Sequence, residues 1–268
     1  MSGSVIHSQS AAMVPAVYSA GQSAQLPVAI DYPAALALRQ MSMVHDELPK
    51  YLLAPEVSAL LHYVPDLRRK MLLATLWNTG ARINEALALT RGDFSLTPPY
   101  PFVQLATLKQ RTEKAARTAG RMPACQQTHR LVPLSDSWYV SQLQTMVATL
   151  KIPMERRNRR TGRTEKARIW EVTDRTVRTW IGEAVAAAAA DGVTFSVPVT
   201  PHTFRHSYAM HMLYAGIPLK VLQSLMGHKS ISSTEVYTKV FALDVAARHR
   251  VQFAMPESDA VAMLKQLS

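Results

Sequence analysis

Five residues in this sequence have the types and spacing to act together on a phosphate ester. They are Arg82, His202, Arg205, His228 and Tyr237. Guanidinium groups hold phosphate oxygens and offset their charge, and a phenol becomes a nucleophile when a neighbouring group takes its proton. Such a set could bind a phosphodiester and attack it without a metal ion or a nucleotide cofactor.

Two of these residues lie at the start of a predicted helix. Thr200 is a good N-cap and Pro201 a good first helical residue. His202 and Arg205 then stand three apart on one face, near the positive end of the helix dipole. A phosphate docked there would meet an imidazole, a guanidinium and backbone amides together. Taken alone, the segment is more simply explained as a surface helix with two unrelated polar residues.

Arg82 follows a predicted turn at Gly80 and precedes Glu85 by three residues. An exposed pair of this kind is common on helices and only weakly stabilising. In the alternative interpretation, Glu85 or the preceding turn at Gly80 orients Arg82 toward a phosphate oxygen.

Tyr237 lies just inside a predicted short final helix, whose start is indicated by a capping-box pattern at Ser232 and Glu235. A lone tyrosine there would usually be a core residue. His228 precedes it by nine positions, directly after a helix that ends at Gly227. The combination of segments, rather than any single one, favours a catalytic interpretation.

A zinc site is an alternative interpretation of His202, His206 and His211, because a four-residue spacing can place two imidazoles together. No carboxylate or thiolate stands nearby in the sequence as a third ligand. The sequence therefore predicts no metal and no other cofactor.

The composition indicates a polyanionic partner. The chain has 268 residues, 48% of them hydrophobic, and its 30 Lys and Arg exceed its 19 Asp and Glu by enough to give a net charge of +11. Charge alone does not separate nucleic acid from an anionic membrane, but no apolar run approaches the ~18 residues of a membrane span. No export signal is evident, and the only cysteine is Cys125. We expect a cytoplasmic protein that does not associate with membranes.

The residue pattern predicts a mainly α fold with a small antiparallel β-sheet. Three helices are expected within residues 51–89, then two strands at 103–107 and 130–134, joined by a long basic loop at 110–128. Helical periodicity returns from Trp138 and is strong over 174–190.

The motifs, taken in order, resemble those of the tyrosine recombinases (lambda-integrase family). They are Thr-Gly-x-Arg-x-x-Glu at 79–85, His-x-x-Arg at 202–205, Leu-x-Gly-His at 225–228, and Tyr237 nine residues later. Each motif is weak alone, whereas the ordered set is highly specific. The resemblance covers residues 51–244 and implies the integrase catalytic-domain fold.

The resemblance implies a role for each candidate. Tyr237 would attack phosphorus and form a 3′-phosphotyrosyl link, while Arg82 and Arg205 would hold the non-bridging oxygens. His202 would assist proton transfer and His228 would hydrogen-bond the phosphate. Because a phosphotyrosyl ester conserves the energy of the broken bond, no ATP is required, and the sequence has no Walker-type glycine loop.

The family's lysine that protonates the leaving 5′-oxygen matches Lys109, at the end of the first predicted strand. Lys114 is a rival in the same loop. In the alternative interpretation, Lys109 is an ordinary solvent-exposed lysine of the hairpin.

The domain expectation is a short, partly disordered N-terminal arm over residues 1–49, with one helix at 31–43, and a catalytic domain with a C-terminal helix over 50–268. Family members usually carry a larger N-terminal helical domain, so the arm or an accessory DNA-binding protein would complete the grip on DNA. The basic segment 151–168 is either a further phosphate contact or a solvated flexible loop. Residues 259–267 could dock on a neighbouring subunit.

The implied activity is site-specific recombination of double-stranded DNA, with self-association as a tetramer on two sites. The closest resemblance within the family implies resolution of plasmid multimers in the cytoplasm, in association with the nucleoid or plasmid. An invertase or integrase of the same family, a nicking-closing topoisomerase and a non-catalytic DNA-binding protein are the alternatives.

Overall fold

The computed structural model describes residues 28, 30, 32–44, 48–107, 128–158, 160–228, 230–249 and 255–267. The helices are α1 (Tyr32–Val44), α2 (Ala54–His62), α3 (Leu67–Thr79), α4 (Ile83–Leu87), α5 (Ser137–Thr149), α6 (Asp174–Ala190), α7 (Pro201–Tyr214), α8 (Leu219–Met226), α9 (Ser232–His249) and α10 (Glu257–Leu267). The strands are β1 (Phe94–Ser95), β2 (Phe102–Thr107), β3 (Thr128–Pro133), β4 (Glu155–Arg157) and β5 (Thr164–Lys166). The predicted mainly α fold with a small antiparallel sheet is confirmed.

The sheet follows the predicted alternation. Strands β1, β2 and β3 are antiparallel and adjacent in chain order, and Val103 of β2 stands opposite Val132 of β3. Val103, Leu105 and Val132 are buried on the inward face. The two-residue strand β1 was not predicted, since two residues are too few to show a period.

Local signals begin and end the helices around the site. The Asp66 side chain accepts a hydrogen bond from the Arg69 amide at the start of α3, and Thr200 accepts one from the Thr203 amide at the start of α7. Gly80 ends α3 with φ +58°. A Cβ at Gly80 would lie 2.3 Å from the Tyr208 ring, so both the backbone angle and the close packing require glycine there.

Helix α7 lies against α3, α8 and α9, and α8 also contacts β3. Its apolar side chains, including Phe204, Ala209 and Met210, belong to one buried core with Leu72 and Leu76 of α3. This packing brings together segments that are more than a hundred residues apart in the sequence.

The helix expected over residues 31–43 is confirmed as α1, which lies against α9. Its Arg39 is buried, pairs with Glu56 of α2 and donates a hydrogen bond to Ser196. The described part of the predicted arm is therefore attached to the body by a buried ion pair. The division between residues 49 and 50 stays a prediction.

Of the two alternatives for residues 151–168, a further phosphate contact or a flexible loop, the second is wrong. The segment contains the antiparallel hairpin β4–β5, and its polar strands have no hydrophobic alternation that could have predicted it. The expected start of the last long helix was also wrong. Helix α9 has 18 residues and begins at Ser232 itself. The Thr234 and Glu235 amides donate to the Ile231 carbonyl, so Ser232 is not the cap of a short helix.

The loop was predicted over 110–128; its last residue, Thr128, begins β3, and residues 110–127, including Cys125, lie outside the described residues. Within the described ranges, no helix has the length and apolar character needed to cross a membrane.

Candidate active site

Arg82 caps α4 and lies at the surface. Its amide donates to Glu85 Oε2 at 2.9 Å and its guanidinium to Glu85 Oε1 at 3.0 Å. The Arg82 side chain is 47% exposed, whereas that of Glu85 is only 2% exposed. The carboxylate is thus fixed inside the protein and holds a guanidinium that a ligand can reach.

Arg205 is buried between two helix ends. Its Nη1 donates to the Gly80 carbonyl at the end of α3, and its Nη2 donates to the Met226 carbonyl at the end of α8, at 2.6 Å. Burial lowers the pKa of Arg205 to about 10, and the charges of Arg82 and Arg130 act in the same direction. The guanidinium therefore remains protonated at neutral pH and ties α3, α7 and α8 together.

Arg130 of β3 was missed as a site residue. Its Nη1 and Nη2 donate to Glu85 Oε1 and Oε2 at 3.2 and 2.6 Å, and its Nε donates to the Leu225 carbonyl at 2.8 Å. Burial acts to raise the pKa of Glu85, but the hydrogen bond and charge of Arg130, followed by those of Arg82, lower it overall. Glu85 therefore stays ionised and is shared by two arginines.

A signal for Arg130 was present in the sequence. Residues 130, 132 and 134 face inward in the predicted strand, so the period places an arginine on an apolar face. A buried arginine requires a partner. Gly227 packs against it, since a Cβ there would lie 3.0 Å from Arg130 Cδ and Nη1.

The nucleophile candidate Tyr237 is buried, with 2% exposure. Its hydroxyl lies 2.9 Å from His206 Nδ1, in a hydrogen bond that joins α9 to α7. Burial raises the pKa of Tyr237 to about 12, an effect that the charges of Arg205 and Arg82 oppose. The phenol is thus protonated in this state and must give up its proton when it attacks.

His206, weighed from the sequence only as a metal ligand, is therefore the imidazole in contact with Tyr237. Burial, followed by the charges of His202, Arg205 and His228, lowers its pKa to about 3. His206 is neutral at physiological pH. Sequence spacing could not reveal this contact, because 31 residues separate the two side chains.

His202 is exposed, and its ring centroid lies 4.4 Å from that of His206. Burial of part of the ring lowers the pKa of His202, as do the charges of Arg205, Arg82 and Arg178. The imidazole is therefore mainly neutral at pH 7 and able to accept a proton. A groove of about 380 Å³ runs beside both histidines.

His228 follows the turn at Gly227 and is oriented by Thr234 of α9. Its Nδ1 lies 2.8 Å from the buried Thr234 Oγ1, and its carbonyl accepts a hydrogen bond from Gln223 at 3.3 Å. Burial, followed by the charges of Arg205, Arg82 and Arg130, lowers the pKa of His228 to about 4. Its other ring nitrogen, Nε2, is the one left for a ligand.

The predicted residues that the structure describes are therefore brought together. The cluster comprises Arg82, His202, Arg205, His228 and Tyr237, together with Glu85, Arg130 and His206. Three guanidiniums and one carboxylate leave an excess of positive charge, which suits a phosphate group. Lys109 and its rival Lys114 lie outside the described residues. Within those residues, no group of three or more His, Cys, Asp or Glu side chains is placed to hold a metal ion.

Comparison with known proteins identifies the family. Residues 50–243 match the model described as the phage integrase family. A resolvase of Escherichia coli (strain K12) is 97% identical over 268 residues, which is the whole of both chains. A probable site-specific recombinase in the afa region of Escherichia coli is 47% identical over 257 residues, 95% of this chain and 97% of that one.

A solved structure shares the fold. The XerH site-specific recombinase bound to palindromic difH substrate, in a post-cleavage complex, superposes with a TM-score of 0.53 at 18% identity. The match covers 76% of this chain and 53% of that one. The chain belongs to the phage integrase family and is a tyrosine recombinase.

Proposed function

We propose that this tyrosine recombinase resolves plasmid multimers by cutting and rejoining DNA at a specific site through a 3′-phosphotyrosyl intermediate on Tyr237. The observation that carries the proposal is the convergence of Tyr237 with Arg82, Arg205 and His228 around one cationic site. The resolvase name of a 97% identical relative supports the resolution outcome.

In the proposed reaction, Tyr237 Oη forms a bond to phosphorus as the bond from phosphorus to the 5′-oxygen breaks. Arg82 and Arg205 stabilise the charge that develops on the non-bridging oxygens, and His228 hydrogen-bonds one of them. The phenolic proton passes to a neutral imidazole of the His202–His206 pair. Lys109 protonates the leaving 5′-oxygen. In rejoining, a 5′-hydroxyl attacks the phosphotyrosyl ester and releases Tyr237.

The proposed partners are duplex DNA containing a recombination site and further copies of this chain, as a tetramer on two sites. The structurally similar XerH is described as bound to a palindromic substrate, which supports duplex DNA as the ligand. Exposed apolar side chains of α10, such as Val261, Met263 and Leu264, support docking of this helix on a neighbouring subunit. An accessory DNA-binding protein and action at the nucleoid or plasmid in the cytoplasm complete the proposal.

One observation favours a second candidate, a DNA-binding protein that keeps the fold without cutting. Tyr237 is 2% exposed, so its hydroxyl meets phosphorus only after a movement of the side chain or of α9. The recombinase proposal therefore requires that DNA binding or assembly expose Tyr237.

Trapping of the covalent adduct distinguishes the two candidates. Protein–DNA adducts captured on plasmid multimers and sequenced identify the target site, and a nicked duplex of that site then traps the intermediate on a denaturing gel. We expect Tyr237→Phe to abolish the adduct and to leave DNA affinity nearly unchanged. Tyr214→Phe, which removes a buried hydroxyl from the same core, is the matched control and should retain the adduct. An adduct that survives Tyr237→Phe contradicts the proposed nucleophile.

A further inference from the structure

The β4–β5 hairpin is rigidly attached to the body beside the α4 segment. The Ala167 amide donates to the Met154 carbonyl and the Ile169 amide to the Leu89 carbonyl, both at 2.9 Å. Thr90 and Arg168 form an antiparallel bridge. Ala167 and Ile169 are also buried, so packing as well as hydrogen bonding attaches the base of the hairpin to the fold.

The turn of the hairpin is ordered by its own hydrogen bonds. The Asn158 side chain accepts hydrogen bonds from the Arg160 amide at 2.9 Å and the Thr161 amide at 3.1 Å. The Gly162 amide donates to the Asn158 carbonyl at 2.8 Å, and Gly162 has φ +68°. These bonds order the backbone of the turn that carries the neighbouring side chains.

Two carboxylates near the hairpin, Glu165 and Glu171, are bound by one arginine. Arg156 pairs with Glu165 at 2.8 Å and with Glu171 at 2.5 Å. The other acidic residue, Glu155, stands opposite Lys166 across the strands.

Three of the described arginines at the turn have no such partner among the described residues. We call Arg157, Arg160 and Arg163 the arginine tip. All three are exposed, and within the described residues none of them forms an ion pair with a carboxylate. Arg157 donates instead to the Gly162 carbonyl at 3.1 Å, which folds it over the turn. The hairpin thus presents uncompensated positive charge on a rigid support.

We propose that the arginine tip binds the phosphate backbone of duplex DNA away from the cleaved bond. Guanidinium groups bind phosphates through bidentate hydrogen bonds. Residues 157–164 contain no apolar or aromatic side chain. The tip therefore has no aromatic platform for stacking single-stranded bases and no apolar surface for a protein interface, so paired phosphates are the ligand it suits best. The inference rests on the proposed function in taking DNA as the ligand.

The length of the hairpin is enough for this contact to fall on DNA that flanks the cleaved bond. Arg168 is six residue steps after Gly162, an extended length of about 20 Å, or roughly six base pairs at 3.4 Å each. The base of the hairpin is hydrogen-bonded to the Leu89 carbonyl, and Leu89 is seven residues after Arg82 in the sequence. A contact at this reach strengthens binding without reading the sequence of bases.

The test is the salt dependence of binding. The triple variant Arg157→Gln, Arg160→Gln and Arg163→Gln is compared with the triple lysine variant, which keeps the charge. Fluorescence anisotropy measures affinity for a target-site duplex with long flanks, from 50 to 200 mM salt. Three lost phosphate contacts should reduce the slope of log K against log salt by about 2.7. The wild type should then lose about 40-fold more affinity than the glutamine variant over this range, while the lysine variant keeps the wild-type slope.

Two controls keep the outcome interpretable. Thermal melting should be the same for the wild type and both triple variants. If the glutamine triple melts early, Arg160→Gln alone is used, since no hydrogen bond of its side chain is found among the described residues, and the expected slope change is about 0.9. On duplexes cut back close to the cleavage site, all proteins should bind alike.

Two results overturn the inference. In one, a stably folded glutamine variant keeps the wild-type slope of log K against log salt. In the other, the slope of the lysine variant falls as much as that of the glutamine variant. Adduct formation at saturating protein separates this result from failure of the proposed function. An adduct with an unchanged slope rejects the arginine tip alone. A reduced slope without any adduct, even in the wild type, rejects catalysis and retains the DNA contact.

Discussion

The arginines of the candidate active site and those of the arginine tip have the same side chain in opposite surroundings. Arg130 and Arg205 are buried, and their guanidiniums are bound to Glu85 or to backbone carbonyls. Arg157 and Arg160 are exposed on a hairpin where Glu165 and Glu171 are already paired with Arg156. Burial with partners fixes geometry, whereas exposure without partners gives attraction that salt screens. The first arrangement suits catalysis and the second suits affinity.

The largest effect is expected where a buried charge loses its partner. Arg130→Met leaves Glu85 with only the exposed Arg82, and breaking a buried pair of this kind costs about 3–5 kcal/mol. Urea unfolding of the purified protein measures the loss. The double variant Arg130→Met, Glu85→Gln should recover part of it, because the uncompensated charge is gone. A single variant as stable as the wild type would contradict the buried pair.

Arg205→Lys tests geometry separately from charge. A lysine keeps the charge, but its single ammonium group cannot donate to the Gly80 carbonyl, the Met226 carbonyl and a phosphate with the fixed planar geometry of a guanidinium. Loss of such a contact raises the barrier by about 3–4 kcal/mol, or about 10²–10³ in rate. Single-turnover cleavage of the nicked site measures the change, with DNA affinity as the control. A tenfold effect or less would mean that charge alone is sufficient.

The histidines of the site should make stability depend on pH, which the arginine tip cannot do. The pKa of His206 is lowered to about 3 and that of His228 to about 4, so the unfolded chain binds their protons first as pH falls below 6.5. Stability is therefore complete above pH 6.5 and is lost as pH falls toward 4, by at most about 1.4 kcal/mol per pH unit for each histidine.

Chemical unfolding at a series of pH values measures this dependence. His206→Asn should flatten the profile, and the glutamine variant of the arginine tip should follow the wild type. If His206→Asn leaves the profile unchanged, this histidine is not a source of the pH dependence of stability.

The smallest effect is expected for Arg160→Gln. An exposed arginine without an ion pair contributes about 0.5 kcal/mol or less to stability. The free energy of unfolding is measured for Arg160→Gln and for Arg130→Met. The difference between the two losses shows how much more a buried arginine contributes to stability than an exposed one. A loss above about 2 kcal/mol would mean that the tip has a structural role.

Much of the fold could be predicted from the sequence, because the signals were local. Asp66 and Thr200 act within three residues of the helices they cap, and the alternation of β2 is visible in six residues. The hairpin β4–β5 could not be predicted, since its strands are polar on both faces. Helix α9 extended beyond its expected length because packing against α1, α7 and α8 adds to what local propensity provides.

The candidate site was predicted in its types of residue but not in its contacts. The ordered motifs gave Arg82, Arg205 and Tyr237, each of which lies in the cluster. The Arg130 bond to Leu225 joins residues 95 apart, and no local pattern encodes it. The bond of His206 to Tyr237 was missed for the same reason. Lys109 stays a prediction.

The central claim is that the phenol of Tyr237 takes the DNA phosphate within this cluster, and mass spectrometry of the trapped adduct tests it most directly. Trypsin cleavage after Lys229 and Lys239 releases residues 230–239, in which Tyr237 is the only tyrosine. We expect this peptide to carry the nucleotide, joined through a 3′-phosphate. A nucleotide attached to any other peptide, or to none under conditions in which recombination proceeds, would contradict the claim.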